Sequence, residues 1–160
     1  MHQILCPVDF SEVSAAALRY AGEFARSWDA RITVVYAEPF SPPPYFTRAQ
    51  IADLEESFRE SRSQAEGVLR SFVARALGEG AGEATVRIVD AAPGEAIRRV
   101  AAEIRADMII MGTHGRAGIR RLALGSVAEN VLRESEVPVL TIRGTHAGPP
   151  REPREVRDAV

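Results

Sequence analysis

Five short apolar runs punctuate the chain, and amphipathic stretches separate them. Ile4-Leu5-Cys6-Pro7-Val8 carries no charge and stops at Asp9. A short unbroken run of this kind predicts a parallel strand buried on both faces. Pro7 has no N–H to give a ladder, so the strand is expected to be ending there. Ser11 offers an N-cap and Glu12 a first-turn carboxylate. Ala17, Leu18, Ala21, Phe24 and Ala25 then recur at helical spacing to about Trp28. Ile32, Val34, Val35 and Tyr36 mark a second buried strand over Arg31–Ala37. A proline-rich loop follows, from Pro39 to Pro44. Thr47 to about Leu77 reads as a long helix whose inner stripe is Ile51, Leu54, Phe58, Ala65, Val68, Leu69, Phe72 and Val73. Gly78 to Gly82 ends it. Alternation in Ala84–Val89 predicts a third strand, more exposed than the others. Pro93 opens a helix where a missing N–H costs nothing, and Ile97, Val100, Ala101 and Ile104 continue it. Asp107–Met111 is the most continuously apolar strand and is expected to be central. A helix near Ser126–Glu134 and a fifth strand over Val137–Ile142 complete a domain spanning 1–143. Beyond it, 144–160 is rich in Gly, Pro, Arg and Glu and is expected to be a disordered tail.

Strand and helix alternate to the end, which predicts an α/β fold: a three-layer, open parallel sheet with helices on both faces. Such sheets bind ligands beyond the carboxyl ends of their strands, where the strand order reverses. The loops after the first and fourth strands, at Asp9 and Gly112, should meet there. Composition narrows the chemistry. The chain's 160 residues suit one domain, and 46% hydrophobic with 26% charged residues is an ordinary globular balance. A net charge of -2 supplies no basic field for nucleic acid. All 20 cationic side chains are Arg, so any mechanism that needs a lysine is excluded. Cys6 stands alone, without a disulfide partner or cysteine cluster. Met1-His2-Gln3-Ile4-Leu5 lacks the basic region and long apolar run of a signal peptide, and no run is long and apolar enough for a span, so a cytoplasmic location without membrane contact is expected.

The loop between the fourth strand and the last helix carries the candidate chemistry. Gly112 and Gly115 stand three apart, nine residues separate Gly115 from Gly125, and Ser126 follows directly. Glycines let main-chain N–H groups crowd an anion with no Cβ in the way. Gly125-Ser126 falls at a helix N-terminus, where free N–H groups and the helix dipole favour phosphate. Ser126 could also cap that helix. This is not a Walker loop, since Gly-Lys-Ser/Thr is absent. It is not a dinucleotide fingerprint either, since Asp9-Phe10-Ser11-Glu12 has no glycine after the first strand.

Gly112-x-x-Gly115-(nine residues)-Gly125-Ser126 resembles the nucleotide-binding signature of the universal stress protein family. Pro7-Val8-Asp9-Phe10-Ser11 is similar to that family's opening strand and cap. Ala106–Arg116 is similar to its fourth strand and loop, and Val137-Pro138-Val139-Leu140 to its last strand. The resemblance implies a Rossmann-like fold of the adenine nucleotide alpha hydrolase type, five parallel strands in the order 3-2-1-4-5, usually dimeric. It implies ATP as ligand; Mg²⁺ could accompany the phosphates. By matching position, Pro7, Val8 and Asp9 would meet ribose and adenine, and Ala37 would line the adenine pocket. Met111, Gly112, His114, Gly115, Gly125, Ser126 and Val127 would line the ribose and phosphate site. Arg116, Arg120 and Arg121 could be solvated charges, or could neutralise phosphate charge from their place over the site. The family's usual glycine before the third helix is missing from Asp90-Ala91-Ala92-Pro93.

Plainer readings stand beside these. Asp9 could satisfy the first amides of the next helix, the loop glycines could be ordinary turn residues, and His114 could be a surface residue. Three functions compete. The first is a regulatory, stress-response module that binds ATP with at most slow hydrolysis. The second is an ATP-pyrophosphate-cleaving enzyme of the related hydrolase group, disfavoured because the Ser-Gly-Gly-type loop after the first strand is absent. The third is a dimeric scaffold without nucleotide. The fifth strand, apolar and expected at the sheet edge, predicts a homodimer built on it.

Overall fold

The computed structural model describes residues 2–42, 44–78, 84–113 and 124–143. The elements run β1 (Gln3–Pro7), α1 (Glu12–Trp28), β2 (Arg31–Ala37), α2 (Arg48–Leu77), β3 (Thr85–Val89), α3 (Pro93–Glu103), β4 (Met108–Gly112), α4 (Ser126–Glu134) and β5 (Val139–Ile142). All four strand pairings are parallel and the order is β3-β2-β1-β4-β5, as the resemblance implies. The middle place therefore belongs to β1. β4 is interior but one position off centre, a correction to the expectation from its apolar run. β1 is just as enclosed, because Ile4, Leu5 and Cys6 have no exposed surface.

Strand alternation divides the core into two layers. Ile4, Cys6, Val34 and Ile110 pack beneath α1 and α2 with Leu18, Leu69 and Phe72. Leu5, Val35, Ile109 and Met111 pack beneath α3 and α4 with Ile97, Val100 and Val131. Each buried side chain of this size contributes about 1.5–3 kcal/mol relative to exposure. Burial pushes the Cys6 thiol up to about 12, so at neutral pH it is an inert core group.

Local chemistry explains the element ends. Ser11 caps α1 by accepting from the Ser14 N–H, and Asp29 closes that helix in a left-handed conformation. Thr47 and Gln50 form a reciprocal capping box at the start of α2. That helix buries Leu69, Phe72, Val73 and Ala76, a stripe of i, i+3, i+4 and i+7. Val68 is not part of it: it is 57% exposed, because one residue before Leu69 lies 100° around the helix. Ile51, Leu54 and Phe58 are only half-buried. β5 starts at Val139 rather than Val137. Pro138 still accepts from the Ile109 N–H with its carbonyl at 2.9 Å, but it has no N–H to extend the ladder. The turn before α3 forms without glycine: Asp90 accepts from the Phe40 N–H at 2.7 Å, and Pro93 is the first helical residue.

Candidate functional site

Order reversal puts the crevice between the carboxyl ends of β1 and β4, the neighbours whose connections run to opposite sides of the sheet. From β1 come Pro7, half-buried as the last strand residue, and Val8, buried, with its N–H on the Val35 carbonyl at 2.9 Å. Asp9 follows, half-buried at the strand end. Its Oδ1 accepts from the Ser11 N–H at 3.1 Å and the Ser11 Oγ–H at 2.6 Å. Asp9 is therefore not the helix cap. Ser11 has that role, and Asp9 braces Ser11 from outside the helix. Ala37 ends β2 opposite Val89.

From β4 come Met111, buried, and Gly112, the last strand residue. A Cβ on Gly112 would stand 2.9 Å from Val13 Cγ1 and 3.4 Å from the Val13 carbonyl carbon. The missing side chain thus lets the first turn of α1 close onto the end of β4. Thr113 is buried, and its N–H donates to the Ile142 carbonyl at 2.9 Å. Its own carbonyl accepts from the Gly125 N–H at 2.7 Å. That bond ties the N-terminus of α4 to the end of β4.

Gly125, not Ser126, is the N-cap of α4, and it brings no side chain to the first-turn amides. Ser126 is the first helical residue and is exposed; Val127 is half-buried behind it. Gly112 and Gly125-Ser126 are thus brought together at the carboxyl end of β4. His114, Gly115 and Arg116 lie outside the described residues. So do Gly118, Arg120 and Arg121. Among the described residues no group of three or more His, Cys, Asp or Glu side chains could hold a metal ion, and no helix is long and apolar enough to cross a membrane.

Two features of this end of the sheet have no signal in the sequence. Phe10, directly after Asp9, has a φ of 64°. Glu38, directly after Ala37, has a side-chain oxygen, Oε2, that is buried with no hydrogen-bond partner among the described residues. Neither a left-handed Phe nor an orphaned Glu can be read from periodicity, since both depend on what packs around the strand ends.

Comparison with known proteins agrees with this fold. The sequence model of the Universal stress protein family matches residues 1–143. Universal stress protein MJ0531 of Methanocaldococcus jannaschii is 29% identical over 146 residues, covering 88% of this chain and 81% of that protein. The solved universal stress protein UspA from Lactobacillus plantarum superposes with a TM-score of 0.72 at 28% identity, covering 89% of this chain and 97% of its own. A universal stress protein solved in complex with cAMP superposes with a TM-score of 0.64 at 27% identity, covering 88% and 95%. This chain belongs to the universal stress protein family.

Proposed function

We propose that this chain is a regulatory nucleotide-binding module, with ATP held across the crevice between β1 and β4. The observation that carries the reading is the 2.7 Å bond from the Gly125 N–H to the Thr113 carbonyl. It brings the end of β4 to the bare N-terminus of α4, and Asp9 stands at the end of the neighbouring strand β1. In this reading the Asp9 carboxylate accepts from ribose hydroxyls or the adenine amine, with Pro7, Val8 and Ala37 as apolar wall. Met111, Gly112 and Val127 flank the ribose. Main-chain amides of Gly115 and Ser126, with the Ser126 hydroxyl, take the phosphates, while Gly125, whose own N–H goes to the Thr113 carbonyl, keeps that place clear of a side chain. His114 and Arg116 add contacts from the loop, and Mg²⁺ travels with the phosphates. The cAMP held by one solved relative supports the nucleotide class. The lack of any lysine and of a Walker motif favours binding over rapid turnover.

The test is direct. The purified protein is denatured and any released nucleotide is identified by mass; ATP binding is then titrated for wild type and Gly115→Val. ATP is expected in the wild type, and a β-branched residue at Gly115 should weaken it at least about tenfold by keeping phosphate away from the amides. Equal binding by both proteins overturns the loop assignment. We infer further a cytoplasmic homodimer assembled on β5, which among the described residues is an edge strand.

A further inference from the structure

We propose that Phe10 is a positioning residue for the nucleotide site: an aromatic wedge that holds the turn carrying Asp9. The inference rests on the nucleotide-binding reading above and adds a residue to it.

Among the described residues, three non-glycine residues have positive φ: Phe10, Asp29 and Arg105. The last two need no special account. Asp29 is the left-handed C-cap of α1, and Arg105 directly follows the last turn of α3. Phe10 precedes a helix instead, between β1 and the N-cap Ser11. A bulky side chain adopts this conformation at a cost, and it persists only where the surroundings over-determine it. Here they do. The Phe10 ring meets Tyr36 of β2 at a centroid distance of 4.8 Å and 61°, and Phe72 of α2 at 5.3 Å and 75°. Both are favourable edge-to-face arrangements, and all three rings belong to the core layer under α1 and α2.

The ring is therefore anchored in the core while its backbone forms the rim of the crevice. The Asp9 carboxylate reaches across this same residue to the N–H and hydroxyl of Ser11. The Ser11 Oγ accepts in turn from the Ser14 N–H at 3.1 Å. Rotating residue 10 out of the left-handed region would separate Asp9 from Ser11 and swing the carboxylate away from its place. Phe10 thus acts on the ligand through Asp9 rather than by contact.

A purely structural wedge would affect only stability, so the test separates stability from affinity. Phe10→Gly and Phe10→Ala both remove the ring. Glycine adopts a φ of 64° without strain and alanine does not. Phe10→Gly is therefore expected to be at least as thermally stable as Phe10→Ala, yet both should bind ATP about tenfold or more weakly, as losing a supporting group does elsewhere. Amide exchange at Ser11 and Ser14 should quicken in both. Phe10→Leu keeps apolar bulk in the core if the smaller variants do not fold, and it should weaken ATP severalfold. Wild-type affinity in any folded variant overturns the proposal. So does an affinity that merely tracks melting temperature across the three. A wild type that binds no nucleotide would instead defeat the underlying reading. Exchange at Ser11 and Ser14 then decides for Phe10 alone, and rates unchanged from wild type overturn its role in holding the turn.

Discussion

Gly112 and Asp107 sit at opposite ends of β4, and each makes a prediction about a single atom. Gly112 is expected from sequence to admit phosphate, but its neighbour in the structure is Val13, 2.9 Å from where a Cβ would be. Gly112→Ala should therefore destabilise the protein by about 1–3 kcal/mol in urea denaturation with no ligand present. Adding Val13→Ala should recover part of that loss, so that the double variant is less destabilised than the two singles summed. Additive losses would show that the two groups do not meet. Asp107 accepts from the His2 N–H at 2.6 Å and the Gln3 N–H at 2.9 Å. These bonds, His2's foremost, hold its carboxyl below its ordinary 3.8. A carboxyl depressed by folding adds stability above its unfolded value, near 3.9, and loses it as pH falls through the lower folded value. In urea titrations from pH 5 to 2, Asp107→Asn should flatten the acid limb relative to wild type. Parallel curves would refute the assignment.

Helix α4 poses the conflict between stability and binding most sharply. Its N-cap, Gly125, supplies no side-chain acceptor, although Asp or Asn at that position satisfies first-turn amides and complements the dipole. Gly125→Asp should therefore stabilise the unliganded protein by a few tenths of a kcal/mol. The same carboxylate would occupy and charge the place proposed for phosphate, so ATP affinity should fall at least about tenfold. Melting curves with and without ATP read both effects, and undiminished protection by ATP would place the phosphates elsewhere. Element scale is also where sequence reading did best, and its failures have physical causes. The bounds of β2 and α4 come out as expected, because a run of apolar residues or a glycine before a periodic stretch is a local signal. β5 loses Val137 and Pro138 because ladder membership depends on N–H groups rather than hydropathy. Val68 leaves the α2 stripe because 100° of rotation decides burial. The candidate site divides likewise. The glycine spacing and the strand end at Asp9 can be read in the sequence, whereas the contacts of Phe10 with Tyr36 and Phe72, from two distant elements, leave no mark there.

At the scale of the whole molecule the sheet ends, among the described residues, on β3 at one side and on β5 at the other. Gly22 of α1 faces Leu77 of α2, so the opposite flank of α1, with Tyr20, Phe24 and Trp28 at intervals of four, turns towards the β5 edge. Tyr20 is 47% and Trp28 41% exposed there. On the other layer, Asn130 and Glu134 of α4 bind Arg98 of α3, which leaves Leu132, 43% exposed, on the flank away from α3. Three layers thus present apolar surface along one edge, and a second copy related by a two-fold axis could cover all of it at once. The backbone supplies a clean way to test this. The Pro138 carbonyl accepts from Ile109 of β4 and the Ile142 carbonyl from Thr113 just after it, so by alternation Val139 and Thr141 turn their N–H and C=O groups outward. Thr141→Pro removes an outward donor and spares the β4 ladder, as proline on an edge strand can. Wild type is expected to scatter light at twice the chain mass, with a melting temperature that falls on dilution. The variant should scatter at the chain mass and melt independently of concentration. A wild type that is monomeric at about micromolar concentration, where specific dimers normally persist, would leave this edge without its partner.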